Sequence, residues 1–259
     1  MSAVLLEKQG AVATVTLNRP EAMNSMNPEL FAEALKAFDD VEKDDSVRVV
    51  ILTGAGKAFC AGGDLAYMRE ELSGSAQIHA FIALAGALSK KIHTLCKPVI
   101  GMINGVAAGA GANLLLACDM TFAAASFRFG QSFSKVGVVP DGGGSYFLPR
   151  IVGLARAKEL MFTGRLIDAE TAQNMGLVNI VVADEKLTEK TYEFANELAN
   201  GPSLALAAIK RTLNLSMGMS LDVVLELEAS SQAMMMMTED AREGMAAFAE
   251  RRPPKFTGK

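Results

Sequence analysis

The first half of the chain alternates short β-branched runs with longer segments that have one apolar face. Ala11–Leu17 and Val47–Thr53 are rich in valine and threonine, which predicts two strands. Between them, Asn27 stands where it would cap a helix whose apolar positions recur at helical spacing. The same patterns predict a helix over Ala76–Leu95 and a buried strand over Pro98–Ile103. The predicted strands and helices therefore alternate, which is typical of an α/β protein.

In the second half, short apolar runs are separated by a glycine-rich segment. Met120–Ala123, Phe127–Phe129 and Val178–Val182 suit short strands, and Pro140–Gly144 suits a loop. From Ala155 onward, helical patterns dominate.

The composition changes near Gly201-Pro202, so we expect a core over residues 1–200 and a helical region over 201–259. Its predicted helices are Ser203–Met217, Leu221–Met237 and Asp240–Glu250. The run Met234–Met237 would be apolar on every side of a helix, which indicates a buried helix or a subunit interface.

Composition and charge narrow the classes of protein. Hydrophobic residues make up 50% and charged residues 21%, so the chain is expected to fold, and a net charge of -4 disfavours nucleic acid as a partner. The widely spaced Cys60, Cys96 and Cys118 predict reduced thiols, and the start of the chain lacks the pattern of a secretory signal. The apolar stretch Val99–Cys118 contains polar residues and ends at Asp119, which argues against a membrane span. We expect a soluble, cytoplasmic protein.

The sequence lacks the residues of several common nucleotide-binding and metal-binding motifs. A phosphate loop around Gly54–Lys57 fails because Ala58 replaces the hydroxyl residue, and a dinucleotide fingerprint fails at Leu114. The two histidines, His79 and His93, lie in no zinc-binding motif, so no metal site is predicted.

Two segments of small residues follow apolar runs: Ala58–Leu65 and Asn104–Asn113. Small residues let main-chain N–H groups approach a ligand, and two such amides from separate loops are a common means of holding a developing oxyanion. Taken singly, each segment is better explained as a tight, closely packed turn.

Six segments carry recognisable motifs in order along the chain. They are Leu17–Pro20, Ala58–Leu65, Lys97–Asp119, Phe129–Gly144, Thr163–Val181 and Glu243–Phe256. In these segments, over essentially its whole length, the sequence resembles the crotonase (enoyl-CoA hydratase/isomerase) superfamily. The resemblance implies an α/β spiral of ββα units with a helical C-terminal region that drives trimerisation, as a homotrimer or a dimer of trimers.

The resemblance also implies an acyl-CoA thioester as substrate, with no metal and no cofactor other than the CoA of the substrate. The positions that match the family's two oxyanion donors are Gly63 and Ala110. The positions that match CoA contacts, largely through backbone atoms, are Ala22, Ala61, Asp64 and Leu65, with Phe248 and Lys255 as C-terminal candidates that a neighbouring subunit would supply.

The chain departs from the hydratases of the family at both catalytic glutamates. Asn113 and Phe133 stand at those positions, and an amide and a phenyl ring cannot share the acid and base steps of water addition. Asn113 is expected either to bind the substrate or to satisfy a helix start. Phe133 is expected to be a wall of the substrate pocket.

One carboxylate remains, that of Asp141 in the segment PDGGG, which looks like the isomerase branch of the superfamily. We expect it to act as the single acid–base group, in an apolar setting of Phe133, Phe147 and Val138 that raises its pKa. The competing interpretation is a turn aspartate that binds its own backbone.

The sequence thus predicts an isomerase that moves the double bond of an enoyl-CoA between the 3- and 2-positions. The alternatives are a ring-epoxide phenylacetyl-CoA isomerase, a weak enoyl-CoA hydratase in which Asp141 and Asn113 hold the water, and a non-catalytic acyl-CoA binding subunit. The segment Tyr67–Ala80 is expected to be a mobile pocket wall.

Overall fold

The computed structural model describes residues 2–259 of the chain. Its strands are β1 (Val4–Gln9), β2 (Val12–Leu17), β3 (Val49–Gly54), β4 (Ala58–Cys60), β5 (Val99–Ile103), β6 (Val106–Ala108), β7 (Met120–Ala124), β8 (Arg128–Gly130), β9 (Leu166–Asp168) and β10 (Ile180–Val182). Its α-helices are α1 (Pro28–Lys43), α2 (Leu65–Glu71), α3 (Ser75–Thr94), α4 (Ala110–Ala117), α5 (Gly144–Val152), α6 (Leu154–Thr163), α7 (Ala169–Asn174), α8 (Leu187–Ala199), α9 (Ser203–Ser216), α10 (Leu221–Met235) and α11 (Glu239–Glu250). Single 3₁₀ turns cover Pro20–Ala22, Ser132–Val136 and Asp184–Lys186.

The strands of the described chain form two sheets that the backbone enters alternately. A six-stranded sheet has the order β1-β2-β3-β5-β7-β10, and a four-stranded sheet has the order β4-β6-β8-β9. All pairs are parallel except β1 with β2 and β8 with β9. Thus β3 is followed by β4, β5 by β6 and β7 by β8, and helices close each pair. This succession confirms the predicted α/β architecture of ββα units.

The central strands β3 and β5 of the large sheet are buried on both faces, which explains their apolar, β-branched sequences. In β3, Val50 and Leu52 pack into the main core with α1 and α3, whereas Val49 and Ile51 pack towards α8. Side chains alternate between the faces of a strand, so a run of four valine, isoleucine and leucine residues fills both layers at once.

The longer elements follow the sequence prediction closely. The side chain of Asn27 accepts a 2.9 Å hydrogen bond from the amide of Leu30 and caps α1 as predicted. The two segments predicted as loops instead contain β4, β6 and the start of α4. Helical structure begins at Gly144, earlier than predicted. The helix α5 contains Pro149 in its interior, a position where proline is normally disfavoured.

The C-terminal helices follow the core in sequence, and one buried lysine joins them to it. The ammonium group of Lys210 in α9 donates to the carbonyls of Ile92 and Lys97 and pairs with Asp119 at 2.7 Å. Residues Met234 and Met237 are 59% and 72% exposed, so the buried-helix interpretation of the methionine run is wrong for the single chain. The division at residue 200 stays a prediction.

No helix formed by residues 2–259 is both long enough and apolar enough to cross a membrane.

Candidate active site

The first small-residue segment runs from β4 to α2 and is held by a bridge to Met26. The amide of Met26 donates to the carbonyl of Gly62 at 2.8 Å, and the amide of Asp64 donates to the carbonyl of Met26 at 3.0 Å. These bonds lie on either side of Gly63. Its own N–H has no acceptor among residues 2–259 and remains available to a ligand.

The second small-residue segment turns from β6 into α4. The amide of Gly109 donates to the carbonyl of Gly130 at 2.9 Å, and its φ of +53° makes the turn possible. Ala110 is the first residue of α4, so its N–H has no partner inside the helix, nor one elsewhere in the part of the chain that the structure describes. The helix dipole places positive charge at this end.

The two segments touch each other. A Cβ atom built on Gly62 would lie 3.4 Å from the amide nitrogen of Ala110, which places the two free N–H groups on adjoining pieces of backbone. Gly63 and Ala110 both line one cavity of about 680 Å³. This is the arrangement that an oxyanion hole requires, with two preorganised donors fixed before any charge develops.

The walls of this cavity, hereafter the acyl cavity, are mostly apolar. The apolar side chains include Leu65, Met68, Ile78, Ile82, Phe133, Val136, Val138 and Val139. Met68 lies in α2, and Ile78 and Ile82 lie in α3, so much of the predicted wall Tyr67–Ala80 is helical. Such a lining suits a hydrophobic acyl group.

Asp141 is the only charged residue among the described residues that line the acyl cavity. Its carboxylate oxygen Oδ1 is buried and has no hydrogen-bond partner within residues 2–259. Burial raises the pKa of Asp141 to about 6, and the main-chain amide of the same residue offsets part of that rise. Because an isolated carboxylate in an apolar site holds a proton more readily than in water, Asp141 is suited to accept and return one near neutral pH.

The backbone around Asp141 forms a tight turn into α5. The amide of Gly144 donates to the carbonyl of Asp141 at 2.9 Å, and Gly142 and Gly143 have φ angles of +52° and +86°. Both features of the competing interpretation, a turn and an acidic side chain, are therefore present. The turn is closed by the main chain of Asp141, and the side chain interacts with the amide of its own residue but leaves Oδ1 unbonded.

Asn113 occupies a different place from the one expected of a substrate-binding residue. It is fully buried in α4, does not line the acyl cavity, and neither caps the helix nor reaches its start. Its Nδ2 donates to the carbonyl of Asp141 at 2.8 Å, and its Oδ1 accepts from Nε2 of Gln131 at 2.7 Å. Gln131 is a residue of interest that the sequence prediction missed, although it lies inside the motif Phe129–Gln131.

Phe133 lines the acyl cavity as predicted, but Phe147 does not. Phe147 packs beneath Gly143, stacks edge-on against His93 with ring centroids 5.1 Å apart, and faces a second cavity of about 510 Å³ on its other side. The error arises because successive positions of α5 point in different directions, and only the first three residues of the helix, Gly144, Ser145 and Tyr146, line the acyl cavity.

Four of the expected CoA positions lie together near the acyl cavity. Ala61 and Leu65 line it, and the amide of Ala61 donates at 3.0 Å to the carbonyl of Met23, the residue after Ala22. Asp64 has a structural role, because its carboxylate pairs with Arg19 at 2.9 Å and caps α2 through the amide of Tyr67. Those contacts hold the pKa of Asp64 below its usual range despite burial.

Phe248 and Lys255 lie outside the acyl cavity of their own chain. Phe248 is 88% exposed on α11, and Lys255 lines a separate surface cleft with Glu243 and Arg252. Their role stays a prediction. No group of three or more potential metal-ligating side chains is formed by residues 2–259.

Comparison with known proteins gives a consistent result. The family model for enoyl-CoA hydratase/isomerase matches residues 7–259. The chain is 41% identical over 264 aligned positions to the 1,2-epoxyphenylacetyl-CoA isomerase of Escherichia coli, covering all of both chains. It is 37% identical to the short-chain-enoyl-CoA hydratase of Clostridium acetobutylicum over 96% of this chain and 95% of that one. The crystal structure of an enoyl-CoA hydratase from Bacillus anthracis superposes with a TM-score of 0.95 at 34% identity, over 99% of this chain and 100% of that one.

Proposed function

The chain belongs to the enoyl-CoA hydratase/isomerase family, of crotonase fold, and we propose that it isomerises an acyl-CoA thioester with Asp141 as its only acid–base group. One observation carries the proposal. Asp141 is the single carboxylic acid among the described lining residues of the acyl cavity, and that cavity also presents the free amides of Gly63 and Ala110.

In the proposed reaction the thioester carbonyl oxygen accepts hydrogen bonds from the amides of Gly63 and Ala110. The carboxylate of Asp141 removes a proton from the carbon α or γ to the thioester, and the C–H electron pair moves onto the oxygen as an enolate. The protonated carboxyl of Asp141 then returns the proton at the other end of the three-carbon unit. The double bond moves between the 3- and 2-positions, no atom is gained or lost, and each amide donor is worth about 3 to 4 kcal/mol.

The same arrangement disfavours hydration. Adding water requires one group to deprotonate the water and another to protonate carbon, and the usual solution is a pair of carboxylates. Phe133 supplies only an apolar wall, and both polar atoms of Asn113 are bonded to Gln131 and Asp141. A single base is sufficient for isomerisation.

A second candidate is the ring-opening isomerisation of an epoxidised phenylacetyl-CoA. It is favoured by the 41% identity, over both full lengths, to a protein named 1,2-epoxyphenylacetyl-CoA isomerase. The acyl cavity of about 680 Å³ is large enough for a flat ring in addition to the thioester. The same oxyanion hole would stabilise the thioester enolate in this reaction.

The remaining expectations complete the proposal. The CoA portion would contact the main chain around Ala22, Ala61, Asp64 and Leu65, and no cofactor beyond the CoA of the substrate would take part. Phe248 and Lys255 would contact the nucleotide of a neighbouring subunit in a homotrimer or a dimer of trimers. The protein would act in the cytoplasm, without nucleic acid or membrane partners.

The decisive experiment incubates the purified protein with a 3-enoyl-CoA, and separately with a 2-enoyl-CoA, in heavy water, with products read by mass spectrometry and NMR. Interconversion with deuterium at carbon and no gain of water supports the isomerase. A product heavier by one water contradicts it and favours a hydratase. If both enoyl-CoA substrates remain unchanged, the assay is repeated with an epoxidised phenylacetyl-CoA. A protein that also leaves this substrate unchanged but still binds acyl-CoA would be a non-catalytic subunit.

Two variants assign the role of the carboxylate. Asp141→Asn is expected to lose about 10²- to 10⁴-fold in kcat while still binding acyl-CoA, because only the proton transfer is removed. The matched control is Asp45→Asn, since Asp45 is an exposed aspartate outside the acyl cavity.

A further inference from the structure

We propose that Asn113 and Gln131 act together as positioning residues, which hold the main chain of Asp141 and so place its carboxyl group at the wall of the acyl cavity. The inference rests on the proposed acid–base role of Asp141. Neither residue touches the acyl cavity, so neither is a catalytic residue in the strict sense.

The hydrogen bonds of this pair have only one possible direction. The carbonyl of Asp141 can only accept, so Asn113 must present its NH₂ group to that oxygen, at 2.8 Å. The carboxamide oxygen of Asn113 then faces Gln131, which must present its own NH₂ group, at 2.7 Å. Both side chains are 0% exposed, so water does not compete for these bonds.

Close packing fixes the pair against the turn. A Cβ atom on Gly144 would lie 2.6 Å from Nδ2 of Asn113, so only glycine permits this approach. The carbonyl of Asp141 accepts both from Asn113 and from the amide of Gly144, which uses its two lone pairs. The main chain of Asp141 is therefore held at two points, whereas its Oδ1 is held by nothing in the described chain.

Holding the main chain of Asp141 while leaving its Oδ1 unbonded suits a base that removes a proton from carbon. A C–H group offers no appreciable hydrogen bond to a carboxylate, so the substrate does not orient Asp141 before the proton moves. The orientation must come from the backbone. Holding the main chain rather than the carboxylate positions the base without lowering its affinity for a proton.

Asn113 and Gln131 also fix the position of Asp141 relative to the proposed oxyanion hole. Asn113 lies one turn after Ala110 in α4, and its amide donates to the carbonyl of Gly109 at 3.3 Å. Gly130, next to Gln131, accepts from the amide of Gly109 at 2.9 Å. The oxyanion donor and the anchor of the base thus belong to one rigid unit.

No other charge reaches the turn of Asp141 from the elements packed against it. A side chain on Gly142 would meet Ala85 and Ser89 of α3 and Asn113 of α4, and one on Gly143 would meet Phe147 of α5. Tyr146 is the one further titratable residue in the described lining of the acyl cavity. A change in the titration of Asp141 therefore reports on its own placement.

The test replaces the anchor by an apolar side chain of similar size. Asn113→Leu is expected to lower kcat about 100-fold with KM little changed, because a misplaced base impairs the chemical step but not the cavity. Gln131→Leu is expected to have a smaller effect of the same kind. In the double variant the losses should not add, because both residues act through one contact with Asp141.

The matched control is Ser89→Ala. Ser89 is 2% exposed and lies beside Gly142, and its hydroxyl makes no hydrogen bond within the described residues. Ser89 is buried, as Asn113 and Gln131 are, and lies beside the same turn, but it makes no hydrogen bond to Asp141. The kcat of Ser89→Ala should therefore be unchanged. An equal loss in Ser89→Ala would show that the turn is merely sensitive to packing and would overturn the inference.

A second readout is independent of turnover. Carbon-13 NMR of labelled aspartate, assigned with Asp141→Asn, follows the titration of the Asp141 carboxyl. In Asn113→Leu its pKa should fall from about 6 towards the ordinary value, because the released carboxylate turns towards water. An unchanged titration with full kcat would contradict the inference. A lowered pKa in a protein that isomerises no substrate would uphold the positioning and remove the proposed function instead.

If Asn113→Leu does not fold, Gln131→Leu and Asn113→Asp answer the same question. Asn113→Asp keeps the acceptor for Gln131 but loses the donor to Asp141, so it should resemble Asn113→Leu in kcat. Its added carboxyl group would itself raise the pKa of Asp141, so the titration is followed in Gln131→Leu alone. Normal kcat in both of these variants, together with a normal titration in Gln131→Leu, would overturn the inference.

Discussion

Gly62 lies so close to Ala108 that a Cβ atom on Gly62 would stand 2.9 Å from the carbonyl oxygen of Ala108. The φ angle of Gly62 is +104°, a backbone conformation that residues with a side chain rarely adopt. The two strand-following segments that carry the proposed oxyanion donors are therefore in contact through a position where only glycine fits. Their separation, and with it the spacing of the amides of Gly63 and Ala110, depends on this glycine.

Gly62→Ala is expected to lower kcat by about 10- to 1000-fold, because separating the segments misplaces an oxyanion donor. The control is Gly10→Ala. Gly10 also has a positive φ, of +61°, but a Cβ there would meet nothing within 4 Å. Gly10→Ala should lower the free energy of unfolding by only about 1 to 2 kcal/mol and leave kcat unchanged. Equal activity of the two variants, measured on an enoyl-CoA, would contradict the proposed contact.

The rate of isomerisation should follow the ionisation of Asp141. As the base, Asp141 must be a carboxylate in the free enzyme, so kcat/KM should rise with pH and level off above an apparent pKa of about 6. A pH profile with a 3-enoyl-CoA substrate checks this. A profile that is flat between pH 4.5 and 7.5 would show that a different group performs the proton transfer.

The same burial should make the active-site acid a source of instability. The pKa of Asp141 is raised from 3.8 in the unfolded chain to about 6, so the folded state favours the protonated form. Its contribution to stability is therefore fully present below pH 3.8 and is lost as the pH rises through about 6. Asp141→Asn should then stabilise the protein at pH 8 by on the order of 2 kcal/mol, and by almost nothing near pH 3.

Urea unfolding at a series of pH values measures this difference. The control Asp45→Asn replaces an exposed aspartate and should show no comparable trend with pH. A variant Asp141→Asn that is less stable than the parent at pH 8 would contradict the isolation of this carboxylate.

The buried ion pair between Lys210 and Asp119 should be a main attachment of α9. Their side chains are 8% and 18% exposed, and burial raises the pKa of Asp119 while Lys210 counteracts it. Lys210→Met leaves a buried carboxylate without its counter-ion, which is expected to cost about 3 to 5 kcal/mol. The control Lys190→Met breaks the exposed pair with Glu193 and should cost less than about 1 kcal/mol.

Thermal or urea unfolding compares the two lysine variants. Adding Asp119→Asn to Lys210→Met should recover part of the loss, since the uncompensated charge is removed. Equal stability of Lys210→Met and Lys190→Met would show that the pair does not hold the helix.

The sequence predicted those elements whose stability is local or whose pattern is long. The valine-rich β3 was predicted within about two residues of its ends, and the start of α1 was predicted from its Asn27 cap. The short strands β4 and β6 were not predicted, because three residues carry no periodicity and these strands form only by pairing with neighbours in the small sheet, β4 with β6 and β6 with β8.

The candidate site was predicted to a similar extent. Gly63, Ala110, Asp141 and Phe133 were named from motifs, and the structure brings all four to one cavity. Phe147 was placed on the wrong side of α5, because the direction of a helix face depends on what the helix packs against.

By itself, the sequence determined the family and its α/β fold, and it predicted Asp141 as the acid of the candidate site. Only the tertiary structure decided what that acid can do. The raised pKa of Asp141 comes from residues far apart in sequence that exclude water, and its placement depends on the amides of Asn113 and Gln131. Burial and hydrogen-bond direction are properties of neighbours in space, so spacing along the chain does not determine them.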